Sequence, residues 1–145
     1  MVKVKLMKGV WTMRILAVLF LVHGLISGAQ SFSGFSPKGG VANPAWMAWW
    51  PARLGQSWLF EQMGLTSRGA YLLTGVVWLL IMAGFLMAGV ALWANPARPG
   101  WGIWAAWSAI LSLVVLAVYL HPWYAGAVLL NLAILVAAVT LGHAR

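Results

Sequence analysis

Four uninterrupted apolar stretches constrain the fold of this chain more than any other feature. A helix needs about 20 apolar residues to cross the hydrocarbon core of a bilayer, so each stretch predicts one transmembrane helix. We therefore expect an all-α integral membrane bundle of four transmembrane helices, in one domain over residues 1–145, with an external loop at 31–70. The predicted spans are 11–30, 71–94, 101–120 and 123–142.

Composition excludes most classes of soluble protein. Hydrophobic residues make up 63% of the chain and charged residues only 7%, whereas soluble domains carry about 25% charged residues. The net charge is +8, because nine Lys and Arg face one acid, Glu61. Since the cations stand at helix ends and in short connections, we expect membrane lipids as partners and no nucleic acid. Without cysteine, the chain has no disulfide or thiolate metal site.

The distribution of the cations predicts the orientation. Short loops on the cytoplasmic side of a membrane are enriched in Lys and Arg. We therefore expect both termini in the cytoplasm and the loop at 31–70 outside. The N-terminal segment also has features of a secretory signal, but it is retained in this chain and we interpret it as the first span. One side of the spans holds Lys3, Lys5, Lys8, Arg14, Arg98 and Arg145, and the other holds Lys38, Arg53 and Arg68.

The external loop is rich in tryptophan and predicts short helices at the membrane surface. Ser31–Gly40 is rich in Gly and Ser and should be irregular. Asn43-Pro44 predicts a helix N-cap, and a second short helix is expected from Ala52 to Met63. Either the tryptophans lie at headgroup depth, or the loop caps the bundle and closes a cavity or docks a partner subunit. The residues concerned are Trp46, Trp49, Trp50, Arg53 and Trp58.

Small residues and tryptophans within the spans predict helix packing. Gly24 and Gly28 in the first span, and Ala133 and Ala137 in the fourth, would let neighbouring backbones approach closely inside the bundle. Tryptophans recur every three residues at 101, 104 and 107, which would form a ladder along one side of the third span. We interpret this ladder as packing and interfacial anchoring rather than as a platform for a pigment or quinone.

The bilayer interior contains almost no reactive side chain. No Asp, Glu, Lys or Arg lies deep in a span, which disfavours carboxylate proton transport and acid–base catalysis. We therefore expect no catalytic residues. His23 is the exception: it lies about 12 Å below the outer boundary, and Asn131 in the fourth span reaches a similar depth. We expect the two to meet, with Thr74 and Tyr71 extending the network.

Three roles remain open for His23. It can hydrogen-bond Asn131 and hold two helices together, contact a quinone or lipid, or ligate a chlorophyll-type pigment as a single axial ligand. Haem with two axial histidines is disfavoured, because His121 and His143 lie near opposite boundaries. We expect no other metal site and no intrinsic cofactor.

Two short runs resemble a known family. Leu21-Val22-His23-Gly24-Leu25 in the first span, with Gly126 and Asn131-Leu132 in the last, resembles the small DoxX-like bacterial membrane proteins. The resemblance implies a four-helix bundle in a bacterial inner membrane, beside respiratory components. We therefore expect a non-catalytic accessory subunit of a larger respiratory or photosynthetic complex. The alternative is a redox-associated module that binds a quinone, lipid or pigment at His23.

Overall fold

The computed structural model describes residues 2–32, 41–65, 68–96 and 100–142, with the backbone alone for residues 2–9. Several predictions concern parts of the chain outside these ranges. They are the irregular conformation of residues 33–40 and the placement of Lys38, Arg98, His143 and Arg145.

Five α-helices account for most of the described residues, and no strand occurs among them. Four of the helices are long and apolar enough to cross a membrane, which confirms the predicted all-α bundle of four spans. The first begins well before the predicted span, and its apolar part is Val10–Ala29. The helices are α1 (Val2–Ala29), α2 (Trp58–Gln62), α3 (Arg68–Ala94), α4 (Gly100–Tyr119) and α5 (Ala125–Gly142).

The long helices pack in the order in which they occur in the chain. α1 packs on α3, α3 on α4 and α4 on α5, whereas α1 and α5 are not a closely packed pair. Short connections force this order, because they leave α3, α4 and α5 no route to distant positions. Along α3, buried side chains recur every three or four residues and form one stripe: Thr74, Trp78, Ile81, Phe85, Ala88 and Leu92.

Glycines bring α1 and α3 close together. A Cβ atom on Gly24 would lie 3.0 Å from the Phe85 Cβ, and one on Gly89 would lie 3.0 Å from the Ala17 carbonyl oxygen. Gly28 likewise faces Met82. The prediction that Gly24 and Gly28 pack inside the bundle is therefore confirmed.

The corresponding prediction for α5 and the tryptophan ladder both need correction. Ala133 is exposed and Ala137 is only half-buried, and α5 instead packs through Ile134 and Ala138. Trp101 is buried against Phe20, at 5.9 Å between ring centroids, whereas Trp107 is exposed. A step of three residues falls about 60° short of a full helical turn, so the ladder winds around α4 and does not follow one side.

The loop end, where residues 41–65 and His121 lie, is folded differently from the sequence prediction. Asn43 is not an N-cap; a single 3₁₀ turn at Ala45–Met47 follows Pro44, without a side-chain cap. The second short helix, α2, begins at Trp58 instead of Ala52, because the buried Ser57 side chain caps it by accepting the Phe60 N–H at 3.1 Å. Val41 and Leu54 form an isolated antiparallel bridge that closes the loop.

Candidate functional site

A buried polar cluster joins three of the four spans at mid-depth. The His23 Nε2 of α1 lies 3.3 Å from the Asn131 Oδ1 of α5, and the Asn131 Nδ2 donates to the Ser112 Oγ of α4 at 3.0 Å. Asn131 has no exposed surface, and His23 and Ser112 are buried. The contact between His23 and Asn131 that the helix rise predicted is therefore present.

The neighbours of Asn131 determine its orientation and that of the histidine proton. The Asn131 Nδ2 also donates to the Ala127 carbonyl at 2.8 Å. A carbonyl only accepts, so Nδ2 must face Ala127, and Oδ1 must face His23. His23 therefore carries its proton on Nε2 and donates it. A metal at Nε2 would have to break this bond, which argues against the pigment-ligand role for that nitrogen.

His23 is also held by its own helix and by α3. Its ring meets the Phe85 ring edge-on, with 4.8 Å between centroids, and its carbonyl accepts the Ser27 hydroxyl at 2.8 Å. The cluster is thus surrounded by packed side chains, and each polar atom of the Asn131 amide has a partner. Such an arrangement holds the helices in position through the Asn131 amide.

Thr74 and Tyr71 do not extend this cluster, as the sequence led us to expect. The Thr74 hydroxyl donates to the Ala70 carbonyl at 3.1 Å, and the Tyr71 ring packs edge-on against Phe60 of α2, with 5.9 Å between centroids. The structure therefore places the four predicted residues in two groups. Depth along a span was predictable, but the direction in which each side chain points was not.

Thr74, but not Tyr71, borders a crevice of about 100 Å³ between α3 and α4, beneath α2. Tyr119 is only 3% exposed, and its hydroxyl lies beside Thr74 without making a hydrogen bond of good geometry. A buried hydroxyl without a partner loses its hydration and gains nothing in return, so an acceptor group that reached it would be stabilised. Its lining residues are Phe60, Leu73, Thr74, Val77, Val115, Val118 and Tyr119.

The external loop is bound to the end of α4 by side-chain hydrogen bonds. The last carbonyls of a helix lack intrahelical donors. Two loop side chains supply them here: the Ser57 hydroxyl donates to the Val118 carbonyl at 2.9 Å, and the Trp58 indole N–H donates to the Ala117 carbonyl at 2.8 Å. The loop therefore acts as a C-terminal cap for α4.

His121 and Asn43 form a second histidine–asparagine pair that binds the loop to the α4–α5 connection. The Asn43 Nδ2 donates to the carbonyls of Trp50 (3.0 Å) and Ala52 (2.9 Å), so its Oδ1 faces the His121 Nε2 at 3.1 Å. The His121 Nδ1 accepts the Trp123 N–H at 3.2 Å. Both nitrogens are thus used by the neutral imidazole. Burial lowers the pKa of His121, and the Ala52 carbonyl partly opposes this effect.

Tryptophans on this cap remain exposed although the loop is firmly attached. Trp46 and Trp49 are 66% and 67% exposed, and Trp46 lies against Trp123 with 5.8 Å between ring centroids. Trp50 is half-buried against His121, while Trp58 and the Arg53 side chain are exposed. Of the two roles considered for the loop, these contacts favour a cap on the bundle. We call the exposed face formed by Trp46, Trp49 and Trp123 the tryptophan face.

Comparisons with known proteins add no identification. The chain matches no protein-family model, no curated protein and no solved structure. The resemblance to DoxX-like proteins therefore stays a prediction.

Sequence reasoning missed Ser112, Ser57, Asn43 and Tyr119 as site residues. A signal existed for one of them. Ser112 lies seven residues before the end of α4, and Asn131 lies six residues after the start of α5. Because a short turn joins the two helices, the helix rise places both residues about 10 Å from the loop end. The bond from Ser57 to Val118 and the placement of Asn43 and Tyr119 depend on tertiary contacts that have no local pattern.

Proposed function

We propose that this protein is a non-catalytic accessory subunit of a larger complex in a bacterial inner membrane, with both termini in the cytoplasm. The four membrane-capable helices and the excess of basic residues on the side of the termini support the location and orientation. The DoxX-like resemblance supports a respiratory or photosynthetic setting.

The tryptophan face is the observation that carries this proposal. A loop that served only to connect two spans would not need side-chain hydrogen bonds to the end of α4 and to His121. Here that attachment holds two largely exposed indoles on a pre-organised surface. Tryptophan is enriched at the centres of protein interfaces, because it buries a large area at a low cost in conformational entropy. We therefore assign partner docking to this face.

The buried polar cluster supports a structural role for the spans. Its amide is fully hydrogen-bonded within the protein, so its evident role is to hold α1, α4 and α5 in place. The chain then contributes a surface to a complex, and the reactions of that complex take place in other subunits.

The test is co-purification from native membranes with a matched pair of variants. Trp46→Ala/Trp49→Ala removes two indoles from the tryptophan face, whereas Trp107→Ala removes an equally exposed indole (67%) from the membrane-spanning part of α4. Wild type and Trp107→Ala should retain the same stoichiometric partner chains in mild detergent, identified by mass spectrometry, and the double variant should lose them. A wild-type protein that runs as a lone monomer, or equal retention by all three, would overturn the proposal.

A second candidate function is binding of a quinone or lipid carbonyl, and the buried Tyr119 hydroxyl favours it. At about 100 Å³ the crevice admits one small group, such as a ring edge or a lipid ester, with α2 covering it. This moves the predicted ligand site from His23 to Tyr119. A bound acceptor would be lost from Tyr119→Phe, and extraction of the purified wild-type protein would yield it in stoichiometric amount. A wild-type extract without quinone or bound lipid would eliminate this candidate.

A further inference from the structure

Arg14 occupies an unusual position at the termini end of the bundle, opposite the loop end. Its Cζ atom lies 5.7 Å from the ring centroid of Trp11 on α1 and 5.4 Å from that of Trp93 on α3. The guanidinium therefore bridges the junction between the two helices. Cation–π contacts with both rings hold it in place, and a guanidinium held by its faces still presents its N–H edge to an acceptor.

No acidic side chain of this protein can neutralise Arg14. The chain contains a single Asp or Glu, Glu61. That residue belongs to α2 at the loop end, where it accepts a hydrogen bond from Gln56. A cation at a membrane boundary is stable when an anion or water accompanies it. Among the described residues no carboxylate lies beside Arg14, so an anion from outside the protein would stabilise its N–H edge.

Arg14 lies near the end of the first span on the side of the termini, and its long side chain can extend toward lipid phosphates. It follows Val10, where the apolar part of α1 begins, by four residues, or about 6 Å of helix. Trp93 is the penultimate residue of α3. Arginine and tryptophan at such positions lie where the headgroups meet the hydrocarbon.

An apolar groove extends from Arg14 along α1. It has a volume of about 380 Å³ and is lined, besides Arg14 and the two indoles, by Ile15, Val18 and Leu19. These three residues follow Arg14 toward the middle of the span, so the groove runs in the direction that an acyl chain takes. Its volume is within the ~300–1,000 Å³ range of ligand sites.

We propose that Arg14, Trp11 and Trp93 form a binding site for an anionic glycerophospholipid of the leaflet at the termini end. The phosphate binds the guanidinium edge, and one acyl chain lies along Ile15, Val18 and Leu19. A net negative headgroup is favoured over a zwitterionic one, because the N-terminal part of α1 carries three further cations and no acid, namely Lys3, Lys5 and Lys8. This proposal is independent of partner docking at the loop end.

Native mass spectrometry of the delipidated full chain tests the site. The protein in maltoside detergent is titrated with palmitoyl-oleoyl phosphatidylglycerol, and the affinity of the first bound lipid is measured. Arg14→Gln should weaken it about fivefold, the contribution typical of one interfacial arginine. The matched control, Arg68→Gln, removes an exposed cation at the loop end and should leave the affinity unchanged. Val18→Trp, which fills the groove but keeps the charge, should also weaken binding.

Three further arms separate the alternatives. Phosphatidylcholine should bind the wild type more weakly than phosphatidylglycerol; equal affinity would refute the preference for a net negative headgroup. Inorganic phosphate at millimolar concentration should not displace the lipid, and displacement would indicate a free-anion site instead. If Arg14→Gln does not fold, Arg14→Lys is measured instead, because it keeps the charge without the planar stacking. Wild-type lipid affinity in Arg14→Lys would overturn the proposal. An equal loss of lipid affinity in Arg14→Gln and Arg68→Gln would also overturn it.

Discussion

Replacing Asn131 with leucine measures what the buried polar cluster contributes to the bundle. Leucine has a similar volume and no hydrogen-bonding group, so it leaves the His23 Nε2–H and the Ser112 Oγ unpaired in a site without solvent exposure. Interhelical hydrogen bonds in membranes contribute ~0.6 kcal/mol on average and at most ~1.7 kcal/mol. Two are lost here, which predicts a decrease of about 1–3 kcal/mol in the free energy of unfolding. The bond to the Ala127 carbonyl lies within α5 and adds little.

The assay is reversible unfolding by dodecyl sulfate in mixed micelles, followed by far-ultraviolet circular dichroism. Thr140→Val is the matched control, because the Thr140 hydroxyl bonds the Val136 carbonyl of its own helix at 2.7 Å; it should cost less than ~0.5 kcal/mol. A double-mutant cycle with His23→Leu should give a coupling of ~0.6–1.7 kcal/mol. If Asn131→Leu costs no more than the control, or if the cycle is additive, the pair does not hold α1 to α5.

Three further predictions use the same unfolding measurement. Gly89→Ala should destabilise the bundle by ~1–3 kcal/mol, because its Cβ would meet Leu21 at 2.8 Å and the Ala17 carbonyl at 3.0 Å. The control, Gly126→Ala, has open space around the new Cβ and should be neutral or stabilising by up to ~1 kcal/mol. Equal effects of the two substitutions would contradict close α1–α3 packing. Ser57→Ala should cost ~1–2 kcal/mol, because it leaves the Phe60 N–H and the Val118 carbonyl without their partner, and wild-type stability would show that the cap contributes nothing. Burial lowers the pKa of His121 in the folded state, so the contribution of neutral His121 to the free energy of unfolding should be complete above pH 6.5 and decrease as the pH falls below that value. If a His121→Gln variant shows the same pH dependence of stability, His121 is not its source.

The spans and the depth of their polar residues were predictable because helix geometry is nearly invariant. Apolar length fixes a transmembrane helix, and a rise of about 1.5 Å per residue fixes how deep each residue lies. This is why His23 and Asn131 could be matched from the sequence.

The direction of each side chain around its helix was not predictable in the same way. Nearly every face of these helices is apolar, so hydrophobic periodicity does not reveal which face is buried. Thr74 was therefore assigned to the wrong group, although its depth was suitable, and the tryptophans at 101, 104 and 107 were placed on one side of α4. In a soluble protein the polar face would have resolved both cases.

The loop shows how tertiary contacts override a local signal. Asn43 followed by proline is a good N-cap sequence, yet its amide is used by the carbonyls of Trp50 and Ala52 and by His121. Three hydrogen bonds at one half-buried side chain outweigh the single bond that an N-cap would make. The partner that decides the outcome lies 78 positions away in the sequence, so no local window contains it.

The two histidine–asparagine pairs use the same chemistry in different environments. In each pair the asparagine Nδ2 donates to at least one backbone carbonyl, which turns its Oδ1 toward the histidine Nε2–H. A neutral donor–acceptor pair lets a bundle without internal charge join distant helices at little desolvation cost. The pair at His23 lies within a span, but the pair at His121 lies at the loop end, where protons arrive from water. Protonation of His121 would replace the acceptor at Nδ1 with a donor facing the Trp123 N–H, so acid should loosen the cap that carries the tryptophan face before it affects the bundle beneath.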